Sequence, residues 1–257
     1  MSRIDVNNLH FSYNKGDEIL KGISLSIDKE STAIIGQNGA GKTTFVKLLK
    51  GLLKPDSGDI FIMGKNTKET TAAELAKYIG LVFQNPNDQI FKNKVLDEVM
   101  FGPLNIGKAL EMVGLKDLYD KNPYDLSLSE RKLISIASII AMETEIIIFD
   151  EPTIAQDYAG KEKIKGIIRQ LMADGKLVLT IIHDMDFVAE TFERVIVFQN
   201  GKPLLDGKTR EVYSHEDVLY SAYLEPPHVT QLCKKLGYKE TFLTVEEFIA
   251  SRRDINH

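Results

Sequence analysis

The sequence predicts an α/β fold on a mostly parallel sheet, with an antiparallel β subdomain at the N-terminus, a helical insertion and a short helical tail. Three observations carry this. Short runs such as Ile146-Ile147-Ile148-Phe149 are continuously apolar, as strands buried on both faces must be. They alternate with amphipathic helical stretches, the pattern of parallel crossover units. A glycine-rich loop, Gly36–Thr44, leaves one such strand and opens directly into a helix.

In order, Arg3–Phe11 is an imperfectly alternating strand and Gly22–Ile27 a regular one, with Ile23, Leu25 and Ile27 on one side and Ser24 and Ser26 on the other. Thr32–Ile35 is a short buried strand and Lys42–Leu52 a helix. Gly58–Met63 is a strand behind the turn cluster Lys54-Pro55-Asp56-Ser57, and Tyr78–Phe83 is a further apolar strand. From Pro86 to Met142 helical patterns dominate, broken at Gly102-Pro103 and Asn122-Pro123. Then come the strand Glu145–Phe149, the helix Ala159–Ala173 with Gly175 as its stop, the strand Leu177–Ile182, the helix Asp186–Thr191 and the strand Arg194–Phe198. Asn200-Gly201 is a two-residue hairpin signal. After His215 the tail offers two short helices, Val229–Leu236 and Thr244–Ala250, behind Glu225-Pro226-Pro227.

The chain has 257 residues, 43% apolar and 27% charged, which excludes collagen-like and disordered classes. Its net charge of −5 argues against broad binding to nucleic acid, which depends on neutralising phosphates. The one cysteine, Cys233, can form neither an internal disulfide nor a cysteine metal site, and reads as a small apolar residue on a helix. The start carries no apolar signal region, and the longest apolar run, Leu133–Met142, is about half a bilayer span. A cytosolic chain is expected, with any membrane role exercised through a partner.

Gly36-Gln37-Asn38-Gly39-Ala40-Gly41-Lys42-Thr43-Thr44 fits the P-loop pattern, and with it a P-loop NTPase core. Its glycines let backbone N–H groups approach phosphate, and the following helix adds its positive end. Lys42 supplies a charge for the β- and γ-phosphates and Thr43 a hydroxyl for Mg²⁺. The strand ending Phe149-Asp150-Glu151 suits a Walker-B edge, with Asp150 for Mg²⁺ and Glu151 for the attacking water. His183 ends a parallel strand on the same edge, where it can bond a γ-phosphate; the plainer reading is a polar turn residue. Gln84 follows another strand and can reach Mg²⁺ or the water. Tyr13 can stack on a base or be an ordinary half-buried strand aromatic.

Taken in order, Tyr13, Gly36–Thr44, Gln84, Leu126–Glu130, Asp150-Glu151, Asp157 and His183 resemble the A-loop, Walker A, Q-loop, signature, Walker B, D-loop and H-loop of ABC transporter ATP-binding subunits. The resemblance spans residues 3 to about 213 and implies ATP and Mg²⁺ held between two head-to-tail chains. It implies an ABC ATPase domain at 1–215 (core 1–85 and 138–215, helical subdomain 86–137) and a C-terminal dimerisation extension at 216–257. The segments 83–91, 99–105, 225–232 and 243–247 are similar to the energy-coupling-factor (ECF) ATPases of vitamin and cobalt or nickel uptake. That likeness implies a transmembrane coupling subunit, a separate substrate-binding membrane subunit and a place on the cytoplasmic face of the membrane.

One segment departs from the family. The signature Leu-Ser-Gly-Gly-Gln is replaced by Leu126-Ser127-Leu128-Ser129-Glu130. Leu128 and Ser129 add bulk where glycine amides approach the partner's phosphate, and Glu130 adds negative charge. Ser127 to Glu130 is equally a capping box before an apolar helix. Ser127, Ser129, Glu130 and Asp157 are thus the residues offered to a partner's site. Beside complete Walker motifs, they imply a heterodimer with a second ATPase in preference to a homodimer. A weakly hydrolysing regulatory or scaffold subunit and a non-transport ABC ATPase are the alternatives.

Overall fold

The computed structural model describes residues 3–14, 16–100 and 106–253. Part of the ECF-like segment 99–105, and the break at Gly102-Pro103, lie outside the described residues. In chain order the elements are β1 (Ile4–Ser12), β2 (Glu18–Ile27), β3 (Thr32–Gly36), α1 (Lys42–Leu49), β4 (Ser57–Ile62), β5 (Lys65–Asn66), α2 (Ala72–Leu75), β6 (Ile79–Val82), α3 (Val95–Val99) and α4 (Ile106–Met112). They continue with α5 (Leu128–Ala141), β7 (Ile146–Asp150), α6 (Tyr158–Ala173), β8 (Leu177–Ile181), α7 (Met185–Thr191), β9 (Arg194–Gln199) and β10 (Lys202–Lys208). The tail holds α8 (Thr209–Ser214), α9 (Glu216–Ser221), α10 (His228–Lys235) and α11 (Val245–Arg253).

Two sheets form. The N-terminal one has the order β2-β1-β4-β5, with every pair antiparallel. The central one has the order β10-β9-β3-β8-β7-β6, parallel throughout except where β10 returns along β9. That return is the predicted hairpin: Asn200 and Gly201 both take positive φ, 49° and 83°, as a primed turn requires.

The central sheet is covered on both sides, and β7 shows how. Ile146 and Ile148 point into a core shared with α1 and the N-terminal sheet. Ile147 and Phe149 point into the core formed with the helical segments. Period-two alternation between two apolar layers is why the run carries no polar residue.

α1 stops at Leu49 rather than Leu52, because Gly51 takes φ 72° and turns the chain out of the helix. α5 crosses the expected subdomain boundary at residue 137, so one helix belongs to both the insertion and the core. Leu219, Ala222 and Leu224, just past residue 215, join the larger core. The tail's own small core is Val229, Cys233 and Phe242.

Candidate functional site

Parallel register brings four strand ends to one edge. β3 runs into the loop 36–44, β6 leads to Gln84, β7 ends at Asp150 and β8 leads to His183. Asp150 pairs with Ile181, which sets the two carboxylates beside the turn that carries His183. These ends surround a cleft of about 420 Å³ lined by Tyr13, Lys42, Gln84, Asp150, Glu151 and His183.

The loop is shaped by its glycines. A Cβ on Gly36 would lie 2.3 Å from the Phe198 carbonyl oxygen, and Gly41, at φ 97°, enters α1 in a left-handed conformation. Around Gly39, at φ 81°, no atom beyond its own chain neighbours lies within 4 Å of where a Cβ would be, so the loop crest is open to a ligand. Asn38, Gly39, Gly41, Thr43 and Thr44 line the cleft with Lys42. Gly36 sits behind it as the strand-to-loop hinge, and Ala40 is buried in the core, its carbonyl accepting from Gly201 N–H at 3.2 Å.

Lys42 is 6% exposed. Its Nζ donates to the carbonyls of Gly36 at 2.6 Å and Gln37 at 2.9 Å, and lies 3.5 Å from His183 Nε2. Burial lowers its pKa, and Glu151 and Asp150 oppose that fall. A buried ammonium that bonds loop carbonyls is well placed to exchange them for phosphate oxygens, which bond it more strongly.

Glu151 is 5% exposed and its backbone is held at φ 49°, left-handed for a residue with a side chain. Burial, reinforced by Asp150, pushes its pKa up to about 7. Burial likewise raises Asp150. His183 Nε2 lies 3.2 Å from Glu151 Oε1, and burial and Lys42 push the imidazole pKa down. Glu151 is thereby brought into the range where a general base works best, with the imidazole of His183 beside it.

Thr43, Gln84 and Asp150 line the same cleft. No cluster of three or more His, Cys, Asp or Glu that could hold a metal occurs among the described residues. A hard divalent cation here needs phosphate oxygens for most of its coordination, and one carboxylate, a hydroxyl and an amide suit that mode. Tyr13 extends past β1, packs edge-on against Phe11 and places its hydroxyl 3.3 Å from Thr44 Oγ1. Half of it stays exposed at the cleft rim.

The residues expected to serve a partner's site lie elsewhere. Ser127 caps α5: its Oγ accepts from Glu130 N–H at 3.2 Å, while Glu130 Oε2 accepts from Ser127 N–H at 2.8 Å. The Ser127 hydroxyl also donates to that carboxylate at 2.6 Å, and these bonds lower the Glu130 pKa. Ser129 Oγ donates to Gln156 Oε1 at 2.7 Å, and Asp157 caps α6 by accepting from Gly160 N–H at 2.7 Å. Ser129, Glu130 and Asp157 share a second hollow of about 460 Å³. The structure thus sorts the expected residues into two groups within one chain. Sequence reasoning missed Ile19 in the cleft and Lys132 behind it; Lys132 follows Arg131 at the polar start of α5, where nothing local sets it apart from a solvated lysine.

Residues 20–154 match the ABC transporter family. A Pyrococcus furiosus protein given the provisional name of ABC transporter ATP-binding protein is 40% identical, over 96% of this chain and 98% of its own. The energy-coupling factor transporter ATP-binding protein EcfA of Methanocaldococcus jannaschii is 37% identical, over 92% of this chain and 90% of its own. In structure, cbiO1 of Clostridium perfringens, described as part of the ABC transporter complex cbiONQ, superposes with a TM-score of 0.77 at 31% identity, covering 91% of this chain and 99% of that one. With more than half of the sequence inside the family match, and relatives aligned along nearly all of it, the chain belongs to the ABC transporter family as one of its ATPases.

Proposed function

We propose that this ATPase drives an ECF-type importer of a vitamin or a transition-metal ion, as one half of an ATPase heterodimer. The observation that carries the pairing is the contrast between the two groups of residues. The cleft holds His183 within bonding reach of both Lys42 and Glu151, while Ser127 and Glu130 close on each other at the start of α5. The importer class is supported by the likeness to EcfA and to cbiO1. No helix among the described residues is long and apolar enough to cross a membrane. We assign the transmembrane path to a coupling subunit and a substrate-binding membrane subunit, with this chain on their cytoplasmic face.

In this reading ATP enters the cleft with its phosphates on the loop 36–44, and Lys42 exchanges loop carbonyls for phosphate oxygens. Mg²⁺, when bound, neutralises triphosphate charge, and Thr43, Gln84 and Asp150 are the residues to hold it. Glu151 takes a proton from the attacking water, and its raised pKa, about 7, makes its carboxylate a stronger base than an exposed one. His183 faces the same carboxylate and offers its N–H to the γ-phosphate. The partner ATPase supplies the signature clamp that Leu128 and Ser129 replace here, and closure of the pair moves the helical insertion against the membrane subunits.

The test is ATPase activity of the chain alone against the chain with its partner ATPase. Turnover is expected only in the mixture; full activity alone, with homodimers in solution, overturns the pairing. L128G/S129G is expected to raise turnover of the chain alone, because it restores the amides' approach to phosphate. The self-closed Ser127–Glu130 cap also favours a second reading, a weakly hydrolysing regulatory subunit. Single-turnover hydrolysis with the partner present separates the two.

A further inference from the structure

One buried cation lies behind the cleft without lining it. Lys132, on α5, is 1% exposed. Its Nζ donates to the carbonyl oxygens of Phe83 at 2.8 Å and Gln84 at 2.6 Å. Burial pulls its pKa down to about 8, and Asp150 and Glu151 pull against that fall. A methionine of similar length fills such a position without desolvating a charge, and exchanging buried ions for apolar residues is often neutral or stabilising. Packing alone therefore does not account for a lysine.

What the ammonium holds is the peptide segment where the chain leaves β6 for the helical insertion. Further bonds tie the same segment to α5. Phe83 N–H donates to Gln89 Oε1 at 3.0 Å, and Gln89 Nε2 donates to the Ser135 carbonyl on α5 at 2.9 Å. Arg131 Nη1 adds a bond to Asn87 Oδ1 at 2.8 Å. With a further bond from Gln89 Nε2 to Ser138 Oγ at 3.2 Å, the stretch 83–89 is fastened to four residues of α5, Arg131, Lys132, Ser135 and Ser138, and among the described residues Lys132 is the side chain that bonds the Gln84 carbonyl. The Gln84 side chain meanwhile lines the cleft with Asp150 and Glu151. A lysine suits the task, since a point charge with three donors can serve two carbonyls at once.

We propose that Lys132 is a positioning residue: it fixes the Gln84 backbone against α5 and so sets where the Gln84 amide stands relative to Asp150, on the edge where a divalent cation would meet the triphosphate. Because α5 begins with Ser127–Glu130, the helix that seats Gln84 in this chain's site also carries the segment offered to the partner's. The inference rests on the reading of Gln84 as a group that faces the cation.

The test uses the full chain and the fluorescent nucleotide mant-ATP, titrated with Mg²⁺ and, separately, in EDTA. Q84A is expected to raise the Mg²⁺ concentration for half-saturation about tenfold or more, the usual cost of disturbing a metal's surroundings. K132M is expected to raise it comparably, and Q84A/K132M no further. K132R, which keeps a charge and several donors, is expected to stay within about threefold of the parent. Affinity in EDTA is expected to be unchanged throughout, because the loop 36–44 is untouched. If K132M fails to fold, K132Q takes its place, being neutral and too short to reach both carbonyls. Losses that add in the double variant, or a lowered thermal midpoint with an unshifted Mg²⁺ titration in K132M or K132Q, overturn the role of Lys132 alone. A silent Q84A removes Gln84 from the cation site, and the proposal falls with its premise.

Discussion

Glu151→Gln separates the cost of burying a carboxylate from its use. In the unfolded chain Glu151 loses its proton near its ordinary value of 4.5; in the folded chain it keeps it up to about 7. Between those two values the folded chain binds more protons than the unfolded one, so stability falls as pH rises through the window. Below about 4.5 the penalty is absent, and above about 7 it is fully present. The gap of about 2.5 pH units is worth about 3 kcal/mol. Glutamine removes the charge while keeping an oxygen for His183. The nucleotide-free variant is therefore expected to be more stable than the parent at pH 8, by up to about 3 kcal/mol. For a chain of this size that is about 5–10 °C in thermal midpoint. The measurement is calorimetric unfolding in EDTA at several pH values, and the two curves should merge toward pH 4.5. An equal or lower midpoint at pH 8, or a gain that persists undiminished at pH 4.5, would refute the burial argument.

The same substitution is expected to cut hydrolysis by about 100-fold or more while ATP binding survives, read by phosphate release with the partner present and by nucleotide binding. Unchanged turnover would remove Glu151 from the role of base. Lys42→Ala is expected to weaken nucleotide binding by about 10- to 100-fold, the loss of a charged hydrogen bond to phosphate, as read by equilibrium titration. Gly201→Ala places a Cβ 2.0 Å from the Ile19 carbonyl oxygen at φ 83°, so about 2 kcal/mol or more of stability should be lost in denaturant unfolding. Since Gly201 N–H holds the Ala40 carbonyl, nucleotide affinity should fall with it.

Elements whose signal is local were legible in the sequence. The apolar run of β7, the Asn200-Gly201 turn and the loop 36–44 each declare themselves within ten residues, because burial on two faces, paired positive φ and close backbone approach each restrict residue choice. β10 was less so, as Pro203 and Gly207 interrupt its alternation and only pairing with β9 makes it a strand. α8 and α9 are six residues each, too short for periodicity to separate them from turns, and their fate is decided by Val212, Tyr213 and Leu219 entering the larger core. The cleft's residue types were legible too, but not their protonation. The raised pKa of Glu151 comes from burial and from Asp150 beside it, quantities that exist only once β7 and β8 are in register.

Two capping boxes show where a local signal stops carrying function. Thr71-Ala72-Ala73-Glu74 has the Ser/Thr-x-x-Glu spacing of Ser127 to Glu130, and both close the reciprocal pair of bonds in the structure. The first opens a four-residue helix between β5 and β6 and serves only to satisfy its amides. The second opens α5, next to Gln156 and the Asp157 cap of α6, on a hollow of about 460 Å³. Identical chemistry at the helix start is housekeeping in one place and, in the function proposed above, occupies the ground of a ligand clamp in the other. The difference lies in what the rest of α5 does. Ten consecutive residues after Arg131 are buried, from Lys132 to Ala141, so the helix cannot shift to free its first turn without moving Lys132 and the carbonyls of Phe83 and Gln84. Under the proposed pairing, a substitution in Ser127–Glu130 should therefore be felt in this chain's own cleft as well as in the partner's, and the two effects are separable because only the second requires the partner.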